Sequence, residues 1–332
     1  MPRRTMTVTE VWAHPVGSRK EKDRVDLTAL PDGMDLLHAF YGFAADVDAR
    51  QLLKRENESF ASVVSLEEKG RAVTLAVDVG RFGERGTITD VTTMIERDRF
   101  TRTDAISVIT HGIFTLPKGC TSALVFIERS GNQSGIIRVL ELFQHQFRLA
   151  YPDLILETTA VVESEAWLSY ASLVKVSAHR RASGSDEADN NSKRIKRSEY
   201  GELAHTLVPA RGERTLPRFL YDRLVAGALK PSELLDFDES DEAAHVEVTL
   251  EHNGQRKTFL LGHEKRPSIS YLLSNHGEDE WSLERVRDYA FDTHADTIYG
   301  RLGWEWTPAH TVGAWTDSQR GARLVVRGGE QS

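Results

Sequence analysis

The sequence predicts a mixed α/β (α+β) protein, with an N-terminal mixed sheet carrying helices and a smaller C-terminal α+β unit containing a β-hairpin. Three observations predict it. Apolar residues alternate with period two over residues 60–93 and again over 245–261. Helical spacing of apolar residues marks 31–53, 136–147 and 282–302. Between the two groups runs the polar, charged tract RRASGSDEADNNSKRIKRSEYGE, which has no apolar face to bury. It gives the division 1–180, linker 181–197 and 198–332.

Taken in order, residues 6–16 read as a first strand. PDGMDLLHAFYGFAADVDARQLL reads as a helix with Asp32 as its cap and Gly42 as a weak point. FASVVSL, the turn at Lys69-Gly70, the alternating Val73, Leu75, Val77 and Val79, and GTITDVTTM together read as an antiparallel meander. Gly80, Gly83 and Gly86 in VGRFGERGT mimic a nucleotide fingerprint. A strand follows them, however, so the loop lacks the helix N-terminus that would hold a phosphate and is expected to be a turn. DAISVITHGIFTLPKGC, ALVFIERS, the helix from Ile136, PDLILETTAVV, a short helix and SLVKVSAHR complete the first unit. In the second, TLPRFLYDRLVAGAL is helical, and HVEVTLEHNGQRKTFLL is a hairpin turning at Asn253-Gly254, a dipeptide suited to the positive φ angles of a type I′ turn. SLERVRDYAFDTHADTIYGRL closes that unit as a helix.

Composition narrows the function. The chain has 332 residues, of which 40% are hydrophobic and 28% charged, as in globular proteins of one large or two ordinary domains. Cys120 is the single cysteine, so no intramolecular disulfide forms and no multi-cysteine metal site exists, which suits a reducing cytosol. No apolar run approaches the roughly 18 residues of a membrane span, and TMTVTEVWAHPVGSRKEKDR offers no apolar leader behind Arg3 and Arg4. A cytoplasmic protein without a membrane partner is expected. The abundance of Arg and Ala suggests a high-GC bacterial source. The net charge is -8, so a nucleic-acid surface has to be a local basic patch.

The first candidate site is the connection inside ALVFIERSGNQSGIIRVLELF. A strand, a small-residue loop and a helix start there, the ingredients of a phosphate cradle. Gly131, Asn132, Ser134 and Gly135 supply the loop, and Arg129 and Arg138 are the flanking cations able to pair with phosphate. There is no G-K-[ST], so ATP hydrolysis by this loop is not expected. The plain alternative is a strand-to-helix connection capped by Ser134. A second candidate is the basic tract Lys193, Arg194, Lys196 and Arg197, with Arg211, Arg214, Arg218 and Arg223 beyond it, able to touch a nucleic-acid backbone. The alternative is a solvated linker whose charges are partly neutralised by SDEAD.

Weaker patterns complete the inventory. Asp288, Asp292 and Asp296 share one helical face, but it lies opposite the apolar stripe and is read as solvated. Pro152-Asp153 and Glu157 resemble the start of a metal-dependent nuclease pattern. That pattern breaks at Thr159, where a lysine is required, and Lys175 lies on a later segment. The twelve histidines, His252 and His263 among them, show no familiar metal spacing. Cys120 is read as a small residue at a strand start rather than a nucleophile.

These features point to a cytosolic binding or regulatory protein acting on nucleic acid or another phosphate-bearing partner. A bacterial antiviral-defence or mobile-element setting is the expected context, carried by no particular residue. Two other classes stay open: a divergent metal-dependent nuclease or phosphoester hydrolase, and a non-enzymatic subunit that binds only protein. No cofactor is expected.

Overall fold

A computed structural model describes residues 3–18, 20–131, 133–163, 168, 170–181, 202–235, 245–252, 255–261, 268–275 and 277–325. The fold is mixed α+β, as the alternating and helical patterns imply. It divides into two compact units, Met1–Val161 with Ser270–Ser332, and Val162–Ile269.

The first unit is built on a seven-stranded sheet. Its strands are β1 (Arg4–Pro15), β2 (Ser59–Lys69), β3 (Ala72–Arg81), β6 (Ile106–Thr115), β7 (Ser122–Ser130), β8 (Leu154–Ala160) and β13 (Ser270–Ser274). Their order is β13-β1-β7-β6-β3-β2, with β8 also on β1, and all pairings are antiparallel. Central strands need apolar residues on both sides, which explains the nearly continuous burial of AVTLAV and SALVFIE.

One face of the sheet is covered by α1 (Leu36–Asp46) and α2 (Gly135–Ala150), with Phe40, Ile136, Phe143 and Phe147 packed on Val11, Leu75, Val77 and Val125. Helix α1 is shorter than the span expected from 31–53. Asp35, not Asp32, is its cap, because its carboxylate accepts from the Leu37 amide while also pairing with Arg71 at 2.8 Å. Asp32 instead accepts from the Met34 amide and the Tyr151 hydroxyl. Gly42 is a packing position, since a Cβ there would lie 1.9 Å from the Ala322 carbonyl oxygen. The opposite face carries Met6, Val8, Ile113 and Phe126 and receives a helical segment made of α5 (Leu283–Ala290), a π-turn (Phe291–Ala295) and α6 (Asp296–Arg301). The sequence pattern implies one unbroken helix in the C-terminal unit, whereas this segment belongs to the first unit and is interrupted by the π-turn.

The meander holds only in part. β2 and β3 form the expected hairpin, with Gly70 at φ 57°, but GTITD does not join their sheet. It forms β4 (Gly86–Asp90), which pairs with β5 (Ile95–Phe100) in a separate two-stranded ribbon. Gly83, at φ 99°, lies in the connection to it and Gly86 is its first residue, so a strand follows as expected.

The second unit is a four-stranded antiparallel sheet of order β10-β9-β11-β12, from β9 (Ser172–Arg181), β10 (Glu202–Leu207), β11 (His245–His252) and β12 (Gln255–Leu260). Leu173, Val176, Val248 and Leu250 pack against Tyr221 and Leu224 of α3 (Arg218–Val225) and Leu235 of α4 (Pro231–Leu235). β11 and β12 pair up to His252 and Gln255, which leaves two residues for the turn. Those residues, Asn253 and Gly254, lie outside the described residues, as does most of the short helix expected before β9.

The division at 181–197 is therefore not the one the contacts give. β9 precedes that tract and β10 follows it, yet the two strands pair with each other, so SLVKVSAHR belongs to the second unit. Among the described residues no helix is long and apolar enough to cross a membrane.

Candidate functional site

The functional geometry of the first unit grows from a split in its sheet. β6 pairs with β3 along its whole length but with β7 only from Gly112 to Thr115. β7 continues along β1 as far as Ser130. Backbone groups in the split need other partners, and Glu128 and Arg4 supply them. The Glu128 carboxylate accepts from the His111 amide at 2.9 Å and from Arg4 Nη1 at 2.9 Å, while Arg4 Nη1 also donates to the Ile109 carbonyl at 3.0 Å. Arg4 Nη2 reaches Glu280 at 2.6 Å. His111 Nδ1 lies 2.6 Å from Glu128 Oε2 but is not aligned as a hydrogen bond. Burial alone would raise the Glu128 pKa. The His111 ring and the Arg4 guanidinium outweigh it and hold the carboxyl below its ordinary value.

The first turn of α2 sits over the same split. Thr110 Oγ1 accepts from the Gly135 amide at 3.1 Å, and Ile136 fills the space that a Gly112 side chain would take. Gly135 has the same role, because a Cβ there would fall 2.2 Å from Val77 Cγ1. Its smallness serves close helix-to-sheet packing. Gly131 serves the turn, with φ 59°, and its amide donates to the Arg3 carbonyl. Arg129 lies within β7 opposite Thr5. Asn132 lies outside the described residues.

Ser134 occupies the N-cap position with extended backbone, but its side chain accepts no bond from the first turn. Its Oγ is buried without a hydrogen-bond partner. The plain reading of Ser134 as a cap is thus not realised. Ser134 instead lines a pocket of about 380 Å³ together with Asn57, Ser59, Val79, Gly80, Arg81, Gln133 and Arg138. No carboxylate is among these residues. Arg138 donates to the Leu52 carbonyl at 3.3 Å and to Ser59 Oγ, which fixes its guanidinium along the pocket wall. Burial lowers the Arg138 pKa; Glu141 opposes this, Arg81 adds to it, and Glu56 opposes it. Both guanidiniums line the pocket.

Of the sequence-derived residues, the structure brings Ser134 and Arg138 to this pocket, while Arg129, Gly131 and Gly135 do not line it. Arg81 and Gln133 were missed. Arg81 stands in the glycine-rich stretch read only as a turn, and no local pattern shows that β3 ends beside the start of α2.

The other candidates disperse. Lys193, Arg194, Lys196 and Arg197 lie outside the described residues, as does His263. Arg218 donates to the carbonyls of Leu168 and Ala171 and stacks over Tyr221, and Arg223 donates to the Ala228 carbonyl, so both are tied into their own unit. Asp288, Asp292 and Asp296 are exposed, and among the described residues no group of histidine, cysteine, aspartate and glutamate is arranged to hold a metal ion. Glu157 faces His14 Nε2 at 3.5 Å and Asp153 is exposed, while Lys175 belongs to the other unit. Cys120 is buried in the core, and burial, aided by Asp26, pushes its thiol up to about 12.

No protein-family model matches this chain, and no curated protein matches it in sequence.

Proposed function

We propose that the first unit binds a phosphate-bearing ligand at the start of α2, and that the protein acts through binding to nucleic acid or a related phosphate-bearing partner. One observation carries this reading. Ser134, with a buried, unpartnered hydroxyl at the N-terminus of a 16-residue helix, lines a carboxylate-free pocket that also holds Arg81 and Arg138. The helix start favours negative charge, the hydroxyl offers a hydrogen bond, and the two lining guanidiniums can pair with an anion.

The test is binding of inorganic phosphate and of a 5′-phosphorylated oligonucleotide to the whole protein. Arg81 is exposed, so Arg81→Ala should leave the melting temperature unchanged and weaken both ligands. Ser134→Ala should weaken them less. Full affinity in both folded variants would overturn the reading.

A further inference from the structure

The residues between β3 and β6 form an arm. It leaves the sheet after Arg81 and returns at Ile106, and in between β4 and β5 pair only with each other. A lone two-stranded ribbon is marginal in water. This one is held by side chains of its own: Asp90 accepts from the Thr92 and Thr93 amides and pairs with Arg97, Arg99 pairs with Glu96, and the Phe100 ring occupies the place of a side chain at Gly86.

Two features of the arm have no structural use within the unit. Its tip exposes apolar groups: Val91 is 79% exposed, Met94 77% and Ile95 63%. A cluster of that kind marks a contact surface. Its base holds a concavity of about 690 Å³ lined by Arg85, Arg99 and Arg102, by threonine hydroxyls and by the Phe100 ring, with no carboxylate among the lining residues. Arg85 and Arg102 have no ion-pair partner among the described residues. The arm starts at Gly86, five positions after Arg81, so these cations stand at the same end of the sheet as the α2 pocket.

We infer that the β4–β5 ribbon is an arm that grips duplex nucleic acid, with Arg85, Arg99 and Arg102 on the phosphates and Val91, Met94 and Ile95 entering a groove. A two-stranded ribbon fits the DNA major groove, where apolar side chains can contact thymine methyl groups. The arm carries five carboxylates and four guanidiniums, but Arg85, Arg99 and Arg102 are the ones gathered on the concavity, with no carboxylate in its lining, and this local cationic face favours phosphates over a protein partner. The surface pairs Arg97–Asp90 and Arg99–Glu96 are weak enough to open for a phosphate. This inference builds on the phosphate reading by naming its ligand as a duplex.

The experiment measures anisotropy of a short labelled DNA duplex, and of one of its single strands, with the full chain over a range of salt. Arg85→Ala with Arg102→Ala should weaken duplex binding on the order of tenfold at low salt and reduce the slope of log K against log salt by about 2, one for each lost phosphate contact. Met94→Asp should weaken the duplex more than the single strand. Inorganic phosphate binding should be unchanged in these variants and weakened in Arg81→Ala. If phosphate is not bound at all but the duplex still depends on Arg85 and Arg102, the pocket reading fails and the arm stands. Unchanged duplex affinity in both arm variants overturns the arm. So does an arm that governs only self-association, seen as Met94→Asp shifting the sedimentation coefficient without any effect on DNA.

Discussion

Glu128 is wholly buried in a central strand, and its worth depends on Arg4 and His111. Its folded pKa lies below the ordinary 4.5. A depressed carboxyl contributes stability that is fully present above its unfolded value and is lost as pH falls through the folded one. Denaturant midpoints should therefore decline as the pH drops below 4.5, and Glu128→Gln should flatten that decline. A parallel acid limb in the two proteins would show that Glu128 does not titrate as proposed. Glu128→Ala, which leaves the His111 amide unpaired and Arg4 with Glu280 as its remaining carboxylate, should cost about 1–3 kcal/mol. Cys120 gives a simpler check: with its thiol pushed up to about 12, it should resist thiol reagents in the native protein and react once denaturant is added. Nothing near Glu128 in ALVFIERS announces this role, because its cation comes from position 4, on another strand. Cys120 was legible as a structural residue because a lone cysteine beside an apolar strand has little else to do.

Elements were legible where a pattern is local. Helix α2 shows its apolar face in Ile136, Val139, Leu140, Phe143 and Phe147, all buried as the spacing implies. The two-residue connection between β11 and β12 follows from Asn-Gly flanked by alternation. Pairing partners were not legible, which is why β4 was placed in the meander instead of the ribbon. A strand's own sequence gives its faces but not its neighbour. The hold of the 283–301 segment on the sheet is equally nonlocal. Tyr299, fully buried, donates to the Thr115 carbonyl at 2.8 Å and accepts from the Leu124 amide at 3.2 Å, so one hydroxyl ties β6 to β7 beside their short ladder. Tyr299→Phe leaves both groups unpaired and should cost about 1–3 kcal/mol in chemical denaturation. An unchanged midpoint would mean that the two strands close over the gap. At the other end of β6, Gly135→Ala places a methyl on Val77 and should lower the melting temperature, with Val77→Ala in the same chain restoring part of the loss.

At the scale of the whole molecule, the sequence marks a boundary at 181–197 by composition, while the contacts divide the chain at 161 and 270, where composition does not change. The reason lies in β1. β8 and β13 both run antiparallel to it, with Ala160 opposite Thr9 and Ser270 opposite Thr7. Two positions along a strand span about 7 Å. The strands thus read as one edge, interrupted where the second unit is inserted. An insertion whose two ends lie so close leaves the host unit a complete sheet and core of its own. Replacing residues 162–269 by a short Gly-Ser bridge should therefore yield a protein that unfolds in one cooperative transition, with the 283–301 segment still packed on the sheet. The closure entropy favours this, since a bridge of a few residues costs less than ordering the natural connection. A cooperative melt, together with dispersed amide signals, would support the insertion. Loss of the transition would mean that the first unit needs the second to fold. If the bridged protein retains the phosphate and duplex affinities of the full chain, both binding surfaces reside in the first unit, as the placement of Arg81, Arg85, Arg102 and Arg138 requires.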